Sequence, residues 1–340
     1  MSAYGSIFQK RTRPVETADF RGLPHFRALY PALSSALDHE YIVDAWNRLI
    51  PSLYPADLYD IFSKAFGEAL QFDLWFCPPS DPDKTQDFEI KIRSLENKYE
   101  GSIKFRYGRK DPAGSGFKVE DTTQSNGYGK AYFKAINELS LAMGNKALPF
   151  IAAGDNGGYT WAKAGAYINA GMMYEEELLG LKRTIKGRLC ALRPYVDSEA
   201  FHKAYGLARI KTKRDISTLA QINEPLPDFF RVDDFSEIGK IRERIQVYYT
   251  RNPADRSASF VAQREVARLE RAFMIAASQE KPMTLGRALL VKTGWIGLVD
   301  FSDKKQMEKI GDYIGGWNTI DPVSGRQRKT PAVTPAFHQS

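Results

Sequence analysis

The chain has 340 residues, 43% hydrophobic, 26% charged and 12% aromatic, length for about two domains with a sizeable core. This composition excludes disordered, collagen-like and mucin-like chains, while two cysteines (Cys77, Cys190) and four scattered histidines exclude a disulfide scaffold and argue against structural zinc. The 48 basic and 41 acidic residues leave a net charge of +7, which suits an anionic partner (nucleic acid, membrane surface or phosphorylated cofactor) without selecting one.

Residues 1–25 carry Arg, Pro and Gly without periodicity and read as an extended arm. They contain no apolar core of signal-peptide length. The longest apolar runs, such as Ala147 to Ala153, fall well short of the ~20 residues that cross a bilayer. A cytoplasmic protein with no membrane insertion is expected, a reading compatible with signal-independent secretion or association with a virion. Over 26–70 the pattern is helical: Tyr41, Ile42, Ala45, Trp46, Leu49 and Ile50, then Leu58, Ile61, Phe62, Ala65 and Phe66, recur at three- and four-residue spacing.

The period then changes to two. Residues 71–77 read as a strand stopped by Pro78-Pro79, and Phe88, Ile90 and Ile92 alternate with Glu89, Lys91 and Arg93. Ile103, Phe105 and Tyr107 alternate with Lys104 and Arg106, and a Gly/Pro-rich turn leads to a short strand at 117–121. Consecutive strands with such short connections predict an antiparallel meander. A helix from about Gly129 to Met143 follows, stopped by Gly144, then a strand at 148–154 and a short helix at about 158–164. Beyond Ala170 the pattern is helical almost throughout, over 174–192, 236–250, 261–277, 284–292 and 303–314. Residues 318–340 are rich in Thr, Pro, Gln and Arg and read as a disordered tail. The expected fold class is α+β: a mixed, mostly antiparallel core over 71–170, an amino-terminal helical segment, and a helical domain or extension over 171–317.

Chemistry concentrates between Val119 and Ala166. Gln124-Ser125-Asn126-Gly127-Tyr128-Gly129 stands between a strand and a helix. Glycines there let the backbone turn and a ligand approach closely, and the free amides of the helix start attract phosphate. Lys130 adds a positive charge at the rim. With its flanks, this segment resembles the Gcn5-related N-acetyltransferase superfamily, whose Gln/Arg-x-x-Gly-x-Gly/Ala loop is matched by Gln124, Gly127 and Gly129. The resemblance covers about 70–168 and implies an acyl-CoA-binding core with acetyl-CoA as co-substrate. It places Val119 where the strand backbone meets the pantetheine arm, Gln124 to Lys130 around the pyrophosphate, and Asn156 just after the next strand. The Gly-Gly-Tyr-Thr-Trp run at 157–161 is also similar to acetyltransferase-like domains of phage structural proteins and polymorphic toxins.

Two positions depart from the family pattern. Trp161 stands where the general-acid tyrosine is usual, and Ala166 replaces a Phe. An indole cannot protonate a leaving thiolate, so Tyr159 is the substitute candidate. The resemblance implies direct attack of a neutral amine on the thioester, with a backbone amide near Val119 polarising the carbonyl oxygen. A carboxylate then takes the amine proton, with Glu120 or Asp121 preferred and Glu89 behind them. The acceptor, protein or small molecule, is not named by any motif.

Two other classes stay in view. Trp161 favours an acetyltransferase-like fold without catalysis, acting as a binding or structural module of a phage particle or secreted effector. Charge alone supports a nucleic-acid-binding protein; the basic run from Lys203 to Arg214 reads as a solvated face, since its aromatics do not alternate with the cations as a stacking platform requires. Cys77 has no histidine nearby in sequence and reads as a buried thiol; His25 and His202 read as surface or interface residues.

Overall fold

The helical and alternating stretches close into helices and strands in turn in a computed structural model of the protein. It describes residues 12–20, 26–29, 37–66, 70–77, 87–94, 99–106, 114–119, 128–152, 157–227, 235–253, 258–278 and 282–317. The chain divides into two units, Met1–Leu148 with Asp300–Ser340, and Pro149–Val299. The extended-arm reading falls largely outside the described residues, and the tail reading wholly so.

The first unit begins with a 3-10 turn, Thr17–Phe20, held by the Arg13 guanidinium on both Asp19 carboxylate oxygens at 2.7 and 2.8 Å. Helices α1 (Leu37–Leu49) and α2 (Pro55–Phe66) follow, with Pro55 opening α2 where its missing N–H costs nothing. The apolar stripes go inward as spaced: Ile42, Ala45, Trp46, Leu49, Leu58, Ile61 and Phe62 are buried. The Trp46 indole donates to the Leu53 carbonyl at 2.9 Å, so its one polar atom is satisfied inside the core.

Beside these helices stands a five-stranded sheet of order β1-β2-β3-β4-β5, built from β1 (Phe26–Leu29), β2 (Leu70–Cys77), β3 (Asp87–Ser94), β4 (Tyr99–Arg106) and β5 (Gly114–Val119). From β2 onward each strand pairs antiparallel with the next, as the meander predicts. Ile90 lies opposite Ile103, and Ile90, Ile92 and Ile103 are all buried, which fixes the register. Strand β1 was not legible. It pairs parallel with β2, and a parallel pair needs a crossover, here α1 and α2.

Helix α3 (Tyr128–Ala142) packs on α2 and β5. Its second half is buried on all sides from Ala135 to Ala142, Asn137, Glu138 and Ser140 included. It ends where the sequence predicts: Gly144 has φ +74°, its N–H donates to Leu141 O at 2.9 Å, and Asn145 N–H donates to Ser140 O at 3.0 Å. That pair of bonds is a Schellman end, which an L side chain at the left-handed position would strain. Helix α11 (Lys304–Ile314) also belongs to this unit and packs on α3 through the face that carries the buried Met307, Ile310 and Ile314.

The second unit carries a three-stranded sheet of order β6-β8-β7: β6 (Ala147–Ala152), β7 (Tyr167–Ile168) and β8 (Trp295–Asp300), with β7 and β8 antiparallel. Strand β8 falls in the gap between the helical segments read at 284–292 and 303–314. Trp295, Gly297 and Val299 go in while Ile296, Leu298 and Asp300 are half-exposed, a two-residue alternation masked in sequence because both faces are apolar. Its helices are α4 (Gly157–Lys163), α5 (Glu175–Leu192), α6 (Ser198–Leu207), α7 (Asp215–Leu219), α8 (Phe235–Thr250), α9 (Ala258–Ser278) and α10 (Leu285–Leu290). Helix α8 packs against α5 and α9 with Ile241, Ile245 and Tyr249 buried. Val247 is 42% exposed, since the 3.6-residue repeat that runs through Ile241 and Ile245 continues at Tyr249.

A buried ion pair ties three of these helices together. The Arg188 side chain of α5 and the Glu265 side chain of α9 are both fully buried, and Arg188 Nε donates to Glu265 Oε2 at 2.7 Å. Arg188 Nη1 also donates to the carbonyls of Ala288, Leu289 and Val291 at 3.1, 3.3 and 2.7 Å. Those carbonyls close α10, where the last turn has no helical partners of its own. Glu265 Oε1 takes Arg268 at 2.7 Å. Burial pushes the Arg188 guanidinium below its ordinary value, and Glu265 pulls it back up.

Candidate functional site

Strand β5 ends at Val119, opposite Tyr99 of β4, and is the outer strand of its sheet. An outer strand presents backbone N–H and C=O groups for pairing with a ligand or another chain. Helix α3 begins at Tyr128, so Tyr128, Gly129 and Lys130 form its first turn. Glu120, Asp121, Gln124, Ser125, Asn126, Gly127 and Asn156 lie outside the described residues, as does the Glu89 side chain.

Among the described residues, nothing demands a glycine at 129. Its φ is not in the left-handed region, and a Cβ built there meets no atom within 4 Å. In a first helical turn, such a glycine costs conformational entropy without easing any internal contact. Open space at the amide end of a helix fits close approach of an anionic group. Lys130 is exposed; its ammonium lies 6.0 Å from the centre of the Tyr313 ring and beside Gly315, the left-handed residue that ends α11. The negative end of a helix favours a cation, so Lys130 serves the end of α11.

The second unit holds Tyr159, on α4. Its ring lies 6.0 Å from the Arg287 guanidinium carbon, and its hydroxyl is hydrogen-bonded with Thr284. Burial raises the phenol above its ordinary value, opposed by the Arg287 charge and the Thr284 bond. The hydroxyl therefore keeps its proton at neutral pH and can donate it. Lys163, one helical turn on, faces the same side; its ammonium donates to Asn223 Oδ1 at 2.8 Å and burial lowers its proton affinity. Sequence reasoning missed both cations near Tyr159. The i, i+4 spacing of Tyr159 and Lys163 was available as a signal, whereas Arg287 joins them only through the packing of α10 on α4.

Trp161 takes a packing role. Its ring meets Phe150 edge-on at 5.8 Å, and Phe150 lies 6.2 Å from Trp295. The Trp295 indole donates to the Gly158 carbonyl at 3.2 Å. Gly158 itself is pressed against the chain at Leu290 and Thr293, where a Cβ would overlap the Thr293 carbonyl and hydroxyl oxygens and sit 2.7 Å from Leu290 O. The Gly-Gly-Tyr-Thr-Trp run is thus set by close packing at Gly158 and Trp161, and presents Tyr159 between them.

The candidate residues accordingly fall into two groups, Val119 and Tyr128 to Lys130 in the first unit and Tyr159 in the second. Among the described residues, no cluster of His, Cys, Asp and Glu could hold a metal ion, and no helix is long and apolar enough to cross a membrane. Cys190 is a free, half-buried thiol whose proton affinity burial raises, a setting that keeps it unreactive. No protein-family model, no curated protein and no solved structure matches the chain.

Proposed function

We propose that the protein is an N-acetyltransferase that transfers an acetyl group from acetyl-CoA to an amine by direct attack. The observation that carries this reading is the pair β5 and α3: an outer strand packed on a helix whose first-turn glycine has no described atom within 4 Å of a built Cβ. When bound, acetyl-CoA supplies an electrophilic thioester carbonyl. The β5 edge at Val119 would pair with the pantetheine amides, and the first-turn amides of α3, with Gln124 to Gly127 and Lys130, would take the pyrophosphate. The resemblance also assigns Asn156 to cofactor binding. Glu120 or Asp121 would accept the amine proton. The resemblance assigns the return of a proton to the leaving thiolate to Tyr159, which burial keeps protonated.

Gly129 separates binding from folding. Gly129→Ala is expected to stabilise the protein by about 0.4–1 kcal/mol and to leave acetyl-CoA binding intact, since the resembling loop takes Gly or Ala there. Gly129→Glu has the room to fold but places a carboxylate at the helix amides, and should abolish binding in isothermal titration at an unchanged melting temperature. Binding indifferent to Gly129→Glu would remove the reading. If acetyl-CoA is bound and turned over with an amine panel, Tyr159→Phe should lower thiol release by roughly 10²–10⁴-fold, the range for loss of a general acid, with little change in acetyl-CoA affinity.

The packing of Trp161 into the Phe150–Trp295 cluster supports a second reading, a non-catalytic acetyltransferase-like module. Acetyl-CoA binding without thiol release across amines, peptides and aminoglycosides would favour it.

A further inference from the structure

From Ala200 to Arg214 the chain carries Lys203, Arg209, Lys211, Lys213 and Arg214 and no acidic residue, and all five cations are exposed. None of Lys203, Arg209 and Lys211 makes an ion pair among the described residues. Of the acids that border this run, Glu199 is exposed, while Asp197 caps α6 by accepting from Glu199 and Ala200 N–H at 3.0 and 3.1 Å, and Asp215 accepts from Lys211 and Thr212 N–H at 2.7 and 3.0 Å. The loop is held by a third tether, Ile168 N–H to Lys213 O at 3.0 Å.

Folding brings aromatic rings to these charges, which the linear sequence did not display. On α6, Tyr205 stacks on Phe201 with centroids 6.0 Å apart and planes 19° from parallel, and Tyr205 stays 37% exposed. Arg209 lies 5.8 Å from the Tyr205 ring and Arg193 lies 5.2 Å from the Phe201 ring. Lys213 and Arg214 lie 5.1 and 5.7 Å from the Tyr167 ring. Between Arg209 and Lys211, Ile210 is buried with φ +45°, a left-handed conformation that a β-branched residue adopts only when its surroundings require it. Its burial anchors the loop while both flanking cations remain in solvent.

We infer that this face of α6 and the 208–214 loop binds single-stranded nucleic acid, the cations tracking the phosphates and Tyr205 stacking a base. A duplex hides its base faces and would leave the ring unused, whereas a basic face with a stacking aromatic is the pattern that single strands use. This surface lies in the second unit and does not depend on acetyl-CoA.

The test is fluorescence anisotropy of the full chain with labelled 20-nucleotide single-stranded DNA and RNA, the matching duplexes, and phosphatidylserine vesicles, over a salt series. Single strands should bind with affinity that falls linearly in log[salt]. The Lys203→Ala/Lys211→Ala pair should flatten that slope by about 1.4, at roughly 0.7 per phosphate contact. Tyr205→Ala should weaken single-strand binding at least about fivefold and Tyr205→Phe should restore it, with melting temperatures unchanged in Tyr205→Phe and in the lysine pair. No binding at low salt, a salt slope untouched by the lysine pair, duplex binding equal to single-strand binding with Tyr205→Ala silent, or binding to vesicles alone would each overturn the inference.

Discussion

Glu265→Ala should destabilise the second unit by about 3–5 kcal/mol, the cost of leaving a buried charge without its partner. The Arg188 side chain is fully enclosed, so water cannot replace the carboxylate. Arg188→Ala should be comparably severe for a different reason: it removes the donor to three carbonyls at the end of α10 as well as the partner of Glu265. The double variant Arg188→Met/Glu265→Leu removes both charges and should recover part of the loss, but those carbonyls remain unsatisfied and hold it below the parent protein. Urea unfolding of the parent, the single variants and the double variant measures the coupling between the two side chains. Near-additive losses would mean that the ion pair is incidental and that α10 is held by packing alone.

Gly158→Ala should cost about 1–3 kcal/mol or more by overpacking. The atoms in the way are the Thr293 and Leu290 carbonyls, which belong to the backbone and cannot rotate aside. To accept a methyl group, α4 must move off the chain at 290–293, breaking the Trp295–Gly158 hydrogen bond and disturbing the Phe150, Trp161 and Trp295 rings. Near-ultraviolet circular dichroism, which reports those indoles, should lose intensity along with the fall in melting temperature. Gly180→Ala supplies the contrast: Gly180 lies inside α5 with nothing within 4 Å of a Cβ, and its replacement should stabilise by up to about 1 kcal/mol.

These two sites mark the boundary of what the residue pattern discloses. The meander was legible because Ile90, Ile92 and Ile103 alternate with charged residues, and one buried face leaves a single register. The stop of α3 was legible because Gly144 takes a conformation that only glycine adopts freely. Strand β8 was hidden because its outward positions, Ile296 and Leu298, are as apolar as its inward ones. The partners of Tyr159 and of Arg188 were hidden for a topological reason. Arg287 and Glu265 reach them through helix packing, which no local spacing encodes. At the candidate site, Gln124 and Gly127 lie outside the described residues, and the space that the described residues leave at Gly129 is a property of three-dimensional packing.

The return of residues 300–317 to the first unit has a consequence for the order in which the protein can be completed. A ribosome releases β1 to α3 first, yet the α11 face carrying Met307, Ile310 and Ile314 arrives only after the whole of Pro149–Val299 has been made. The inserted unit is continuous in sequence and can close as soon as it emerges. Its host must wait with part of the α3 surface uncovered, and that interval is when the nascent chain is most exposed to chaperones, proteases and aggregation.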